Sequence, residues 1–399
     1  MDSSKKNLLL MVPMLHQGGF ERVCVTTARL MQDLYNVHIV IFSSKDINYD
    51  ITGIDVIDID VPAKKGIANK LVNMAKRVHK VKALKKKLGT DISYSFGSSA
   101  NYVNVLSKGK EKVLTGIRCQ TDLENQREVS LLCRKSDQVL SCSKEIMRQL
   151  SADFDYHNST YIYNPLDVND INNKAKEHVS DYPFAGDDVK TIVCMGRNDY
   201  IKGIWHLLKA FSLVNKKHPN ARLLVVGAGN WSCYVSMARS MGLEKVTSFP
   251  GVRKNPFPYV KKSDIYVCSS NHEGFPNAVL EAMALGKPVI SADCKTGPRE
   301  ILLSEEEYKN ILADKPNGDS ITDAIEGTYG ILVPDMDEAI DMDPGNICRE
   351  EIVLAEAISD LLEHEEKLRH FEKKAHERAL FYEPSRYKNS IHEIFAQYE

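Results

Sequence analysis

Four charged side chains, Arg197, Lys202, Glu273 and Glu281, stand in sequence contexts that would bring them to strand ends and helix starts. The stretch from Ser269-Ser270-Asn271-His272-Glu273-Gly274-Phe275-Pro276-Asn277 through Glu281 to Gly286-Lys287-Pro288 reads as strand, tight loop, short helix and strand. Pro276 suits the first helical turn, where its missing amide costs nothing, and Gly286 suits the stop. Glu273 then lies on a loop at the carboxyl end of a parallel strand, with Glu281 in the first turns of the helix. Backbone amides around Gly274 and Phe275 converge there with the helix dipole, a seat for an anion or a hydroxyl-rich ligand. Each carboxylate also has a purely structural reading, Glu281 balancing the dipole and Glu273 capping the turn.

The run Gly196-Arg197-Asn198-Asp199-Tyr200-Ile201-Lys202-Gly203 again follows a strand and precedes a helix. A guanidinium forks onto two oxygens and an ammonium acts as a point charge, so the pair suits a diphosphate, although such side chains are more often plain surface charges. Near the amino terminus, Pro13 to Arg22 joins the first strand to the first helix, and Gly18-Gly19 would let backbone approach a ligand closely. The plain alternative is a tight turn. Gly227-Ala228-Gly229 opens like a dinucleotide fingerprint, but Ser232 stands where the last glycine belongs, so a nicotinamide-dependent dehydrogenase is weakly indicated. Asp58-Ile59-Asp60 has the letters of a metal-binding Asp-x-Asp, yet its acids alternate with apolar residues as on a strand's solvent face. Asp341-Met342-Asp343-Pro344-Gly345 has its glycine too early for an EF-hand loop and reads as an acidic surface insertion.

These loops need strands to hold them. Short apolar runs alternate with longer amphipathic stretches along the whole chain, the pattern of parallel strands joined by crossover helices. The expected strands are 8–14, 37–43, 56–61, 91–96, 112–115 and 138–141, then 191–196, 221–227, 246–249, 264–269, 288–292 and 330–334. An α/β chain of two doubly wound units follows, with a polar linker at 167–188 between them. The length of 399 residues allows two full cores. With 52 basic against 54 acidic residues, a nucleic-acid partner is not indicated. The nine cysteines are scattered with no C-x-x-C pair, so neither a zinc site nor a disulfide framework is expected. No apolar run approaches the roughly 20 residues of a membrane span, and the start lacks a small-residue cleavage site, so 8–14 is expected to be a strand rather than a leader.

Charge is unevenly divided. Residues 1–170 hold 24 Lys or Arg and 19 Asp or Glu, a balance of +5, and the remainder carries -7. Much of the excess lies in Lys64–Thr90, with ten basic residues and no acid. Leu71, Met74, Ala75, Val78 and Val81 recur there at helical spacing. The segment reads either as a solvated outer helix or as one lying near an anionic membrane.

Taken together, these residues resemble glycosyltransferase family 4, the retaining GT-B group. The resemblance rests on Glu273-x7-Glu281, Gly196-Arg197 with Lys202-Gly203, the Gly18-Gly19-x-Glu21-Arg22 loop, and Asp293-x3-Gly297-Pro298-Arg299-Glu300-Ile301-Leu302. The last is similar to bacterial members that build capsules, O-antigens and lipid-linked oligosaccharides. The resemblance implies two Rossmann-like domains facing a central cleft: an acceptor domain at 1–166 plus about 380–399, and a nucleotide-sugar domain at 189–379, with a last helix crossing back to the first. It implies that Arg197 and Lys202 grip the diphosphate, Glu273 contacts the donor sugar and Glu281 the ribose. Amides of Gly274, Phe275 and Asn277 would hold the sugar, Val252 and Arg253 would face the base, and Gly18 and Gly19 would approach the donor. Glu21 and Arg118 are acceptor-side candidates, Arg118 standing where many members place a His.

The expected activity is transfer of a hexose or N-acetylhexosamine from a nucleotide sugar, UDP-sugar favoured, to a glycan or lipid-linked acceptor in cell-surface polysaccharide synthesis. Neither a metal nor a cofactor is expected, and the nucleotide sugar is a substrate. The expected location is cytoplasmic, docked on the inner membrane face. A non-catalytic GT-B partner subunit is the alternative.

Overall fold

A run such as Leu8-Leu9-Leu10-Met11 is apolar on both faces, which suits a strand in mid-sheet with helices above and below. In the computed structural model, which describes residues 4–16, 18–184, 186 and 188–398, that is its position. Leu8 and Leu10 pack with Val23, Cys24 and Ala28 of helix Gly19–Met31 and with Tyr387, Ile391 and Phe395 of helix Pro384–Ala396. Leu9 and Met11 pack on the opposite face with Val81, Ala100 and Val103 of helices Ile67–Leu88 and Ser98–Leu106.

The chain divides into two units, Met1–Pro165 with Pro384–Glu399, and Leu166–Glu383. In the first, β1 (Asn7–Met11), β2 (Asn36–Ile41), β3 (Asp55–Asp58), β4 (Ile92–Phe96), β5 (Lys112–Ile117), β6 (Gln138–Ser141) and β7 (Ser159–Tyr161) form a parallel sheet ordered β3-β2-β1-β4-β5-β6-β7. In the second, β8 (Lys190–Met195), β9 (Ala221–Val226), β10 (Thr247–Gly251), β11 (Ile265–Cys268), β12 (Val289–Ala292), β13 (Ile325–Glu326) and β14 (Ile331–Val333) are ordered β10-β9-β8-β11-β12-β14-β13. Among the described residues there, only β13 pairs antiparallel. Strand order reverses beside β1 and again beside β8. In such sheets ligands bind outside the carboxyl ends of the strands at the reversal.

Segment 167–188, expected as a linker, is partly structured. Val168–Lys174 is a helix capped by the Asp167 side chain, with Val168 and Ile171 buried. Asn172 donates to the Ala284 carbonyl at 3.1 Å and the Lys174 carbonyl accepts from Asn255 Nδ2 at 2.8 Å, so the helix belongs to the second unit. The polar composition concealed one apolar pair at helical spacing. Ala185 and Asp187 of this segment lie outside the described residues.

The basic segment is a helix, Ile67–Leu88, but its faces differ from the expected stripe. Asn73, Arg77, Val81 and Lys85 are buried, whereas Ile67, Leu71 and Val72 are 81%, 68% and 52% exposed. Arg77 lies over the Phe42 ring and donates to the Val61 carbonyl. Lys85 meets Glu111 at 2.8 Å and Asn104 Oδ1 at 2.8 Å, with both charged partners buried. Burial pushes the Lys85 ammonium down to about 8, against the pull of Glu111. Part of the positive charge is therefore built into the core. No helix among the described residues is long and apolar enough to cross a membrane.

Candidate functional site

In the second unit the charged loops gather where the strand order reverses. Gly196 and Arg197 follow β8, and Ser269 to Glu273 follow β11, its neighbour in the sheet. Lys202 ends a short turn, Tyr200–Lys202, and its stem lies over Gly196, where an added Cβ would stand 3.3 Å from Lys202 Cγ. Its ammonium donates to Glu273 Oε1 at 2.6 Å. Burial alone would lower the Lys202 pKa, but the adjacent Glu273 carboxylate outweighs it and holds it above the ordinary value. An ammonium has three N–H groups, so two beyond the Glu273 bond can serve an incoming oxyanion. The Arg197 side chain is exposed and makes no hydrogen bond or ion pair among the described residues.

The loop carrying Glu273 is fastened from beneath. Thr296 donates its hydroxyl to the Glu273 carbonyl. Gly297, with φ of +96°, packs so closely that a Cβ there would stand 2.7 Å from Pro276 Cδ and 3.0 Å from the Gly274 carbonyl oxygen. Arg299 closes the 293–299 segment by gripping both oxygens of Asp293 at 2.6 Å. Phe275 is buried edge-on against Tyr382, at 5.4 Å between ring centres. Glu281 is buried in helix Asn277–Ala284, and Asn277 opens that helix. The loop after β10 divides: Val252 is exposed, while Arg253 turns back to Tyr259 and Asp181, each at 2.8 Å.

In the first unit, Gly18 precedes helix Gly19–Met31 at the carboxyl end of β1. The Tyr49 hydroxyl accepts from the Gly18 amide at 2.9 Å and donates to its carbonyl at 2.5 Å. Glu21 folds over Gly18, where an added Cβ would stand 2.2 Å from Oε2, so a side chain there would displace the Glu21 carboxylate. Gln17 of this loop lies outside the described residues. Arg118 follows β5 and is 9% exposed; it donates to Asn164 Oδ1 at 2.5 Å and lies over the Phe96 ring.

Sequence reasoning did not bring out the direct bond between Lys202 and Glu273, or the roles of Thr296 and Tyr49. It also passed over Asp335, just beyond β14, whose carboxyl is pushed up to about 7 by burial and then by the charge of Asp293. The glycines of the weak dinucleotide signal have a packing role: a Cβ on Gly227 would fall 1.7 Å from the Gly196 carbonyl oxygen, and one on Gly229 2.4 Å from Asn198 Cβ. Asp58 accepts from the amides of Ser44 and Asp60 at 2.8 and 2.7 Å, holding a turn.

Residues 177–328 match the family described as glycosyl transferases group 1. An uncharacterized glycosyltransferase of Methanocaldococcus jannaschii is 38% identical over 183 residues, covering 45% of this chain and 43% of that relative's length. The N-acetylgalactosamine-N,N'-diacetylbacillosaminyl-diphospho-undecaprenol 4-alpha-N-acetylgalactosaminyltransferase of Campylobacter jejuni is 26% identical over 325 residues, 77% of this chain and 86% of that one. Among solved structures, Anabaena HepE in complex with UDP and glucose superposes with a TM-score of 0.72 at 18% identity, over 98% of this chain and 99% of that one. With both sheets in the doubly wound order and the charged loops at the strand reversal, the chain has the GT-B fold, and its residues 177–328 are similar to the group 1 glycosyltransferases.

Proposed function

We propose that this chain is a retaining, metal-independent transferase that moves a hexose or N-acetylhexosamine from a UDP-sugar to a glycan or lipid-linked acceptor in cell-surface glycoconjugate synthesis. The observation that carries this reading is the Lys202–Glu273 bond at the strand reversal, with the uncommitted guanidinium of Arg197 on the adjoining loop. The sugar–phosphate bond breaks as the acceptor oxygen bonds to the same face of the sugar carbon, and the departing phosphate takes the acceptor's proton. Negative charge grows on that phosphate, and fixed cations stabilise it in place of a metal. In this reading Glu273, whose carbonyl accepts from Thr296, contacts the sugar, and Glu281 takes the ribose. The name of the Campylobacter relative, a diphospho-undecaprenol-linked acceptor, favours a lipid-linked acceptor here.

A screen of UDP- and GDP-sugars by thermal shift tests the donor. A ligand that binds only the folded state at 100 times its dissociation constant adds about 2.7 kcal/mol of stability, and UDP-sugars are expected to give the larger shifts. Transfer with the stabilising donor should persist in excess EDTA. Activity abolished by chelator and restored by manganese would overturn metal independence. Binding without transfer or donor hydrolysis would favour a non-catalytic partner subunit.

The same reading has the first unit dock on an anionic membrane to reach its acceptor. Exposed Ile67, Leu71 and Val72 sit among exposed Lys64, Lys65, Lys70 and Lys76, an apolar tip ringed by positive charge. Binding to anionic vesicles should fall steeply as salt shortens the screening length from about 10 Å at 0.1 M to about 3 Å at 1 M. Reversing Lys64, Lys65, Lys70 and Lys76 should weaken binding while sparing donor hydrolysis; Lys80 and Lys85, bonded to the Ile59 carbonyl and to Glu111, are unsuitable probes. A protein that ignores anionic vesicles at low salt makes this a solvated helix and favours a soluble acceptor.

A further inference from the structure

Behind the Lys202–Glu273 pair, three segments of the second unit meet at one carbonyl oxygen. The Asp337 carbonyl, beyond β14, accepts from Asn271 Nδ2 at 3.0 Å and faces His206 Nε2 at 2.8 Å. A carbonyl only accepts, so Nε2 carries the hydrogen. Asn271 lies two residues before Glu273, and its amide donates to the Ile201 carbonyl at 2.9 Å, one residue before Lys202. Ser269 adds a bond from its hydroxyl to the Lys202 carbonyl at 3.0 Å. Between the two loops lies Gly203, where a Cβ would stand 2.2 Å from the Ser269 carbonyl oxygen and 2.7 Å from Asn271 Oδ1. The loops are therefore in backbone contact, and their register fixes where Lys202 meets Glu273.

His206, in the first turn of helix Ile204–Lys217, is buried and anchored on its other side, with Nδ1 2.7 Å from Glu351 Oε1. Glu351 Oε2 accepts from the Cys348 amide at 2.9 Å. The Lys209 ammonium lies 3.8 Å from Glu351 Oε1 and 2.9 Å from Asp341 Oδ2. His206, Cys348 and Glu351 bring their ligand atoms within 4.8 Å of one another, but these bonds and the nearby ammonium fit a closed hydrogen-bonded network better than a cation site. The ring thus has two fixed partners, and only one of them leads to the charged loops.

We propose that His206 and Asn271 are positioning residues for the donor site: through their shared acceptor, the Asp337 carbonyl, they hold the Lys202 and Glu273 loops in binding register. This rests on the reading of Lys202 and Glu273 as donor contacts. Either residue can act without touching the nucleotide, because a displacement of about 1 Å in a charged group is enough to cost up to 100-fold in function.

The two bonds of His206 can be removed separately. His206→Gln keeps an amide donor near the place of Nε2 and gives up the Glu351 bond; His206→Asn keeps one near Nδ1 and gives up the Asp337 bond. A merely structural role predicts that nucleotide affinity follows the melting temperature in both variants. Positioning through Asp337 predicts near wild-type UDP affinity by calorimetry in His206→Gln and a loss of about tenfold in His206→Asn, whatever their melting temperatures. Asn271→Ala, which leaves the His206–Glu351 contact untouched, should lose affinity like His206→Asn and supplies the answer if a histidine variant does not fold. Equal UDP affinity in the two histidine variants, or unchanged affinity in Asn271→Ala, would overturn the proposal. A wild-type protein that binds neither UDP nor GDP would instead overturn the donor-site reading beneath it.

Discussion

Replacing Lys202 by alanine is expected to lower turnover by about 100-fold or more, the scale seen when one preorganised donor is removed from charge that peaks in the transition state. Arg197→Ala should cost a similar factor, yet the two variants should differ in stability. The Arg197 side chain makes no hydrogen bond or ion pair among the described residues, so its removal should leave melting unchanged. Lys202 is the partner of a largely buried Glu273 at 2.6 Å, and its removal leaves that carboxylate uncompensated. Lys202→Ala should therefore melt lower than wild type, and the double variant with Glu273→Gln should recover much of the loss while staying inactive. Stopped transfer with restored folding separates the chemical role of the ammonium from its structural one. Near-normal turnover in either single variant would remove the diphosphate assignment.

The elements that place these groups were legible in the sequence because each follows a local rule. Leu8 to Met11 and Ile192 to Met195 are apolar on both faces, and Gly203 and Gly286 sit at helix boundaries with positive φ. The strands that escaped notice, β7 and β13, are three and two residues long. Ser159-Thr160-Tyr161 carries no apolar run, and a two-residue strand has no period to detect. The faces of helix Ile67–Leu88 were misjudged for a different reason. Periodicity assigns apolar residues to the core, whereas here Arg77 and Lys85 reach carbonyls and a carboxylate across it, and Leu71 stays outside. Such pairings join residues 16 and 26 positions apart in sequence, Arg77 with Val61 and Lys85 with Glu111, and no local pattern encodes them. The candidate site follows the same division. Arg197, Lys202, Glu273 and Glu281 were identifiable by type and loop context, but the bond between Lys202 and Glu273 spans 71 positions and exists only because β8 and β11 are neighbours in the sheet.

The glycines show where that tertiary dependence is most severe, and Gly227→Ala is the substitution expected to damage the fold most. Gly227 follows β9, and a Cβ there would fall 1.7 Å from the Gly196 carbonyl oxygen and 2.5 Å from its carbon. Both obstacles are backbone atoms at the end of β8, so no side-chain rotation relieves the clash, and relief requires the strand ends to separate. Overpacking of a well-packed core already costs about 1 to 3 kcal/mol, and a rigid backbone obstacle places this variant at the top of that range or beyond. At about 3 kcal/mol the melting temperature of a unit this size should fall by about 6 to 12 °C. Because Arg197 is the next residue after Gly196, whatever folded protein remains should also bind nucleotide more weakly. Gly242→Ala is the control: its φ is +74° but nothing lies within 4 Å of the added Cβ, so only the left-handed backbone opposes it, at about 1 to 2 kcal/mol. A Gly227→Ala protein that melts no lower than Gly242→Ala would show that the ends of β8 and β9 can part without cost, and that Arg197 is not held by this contact.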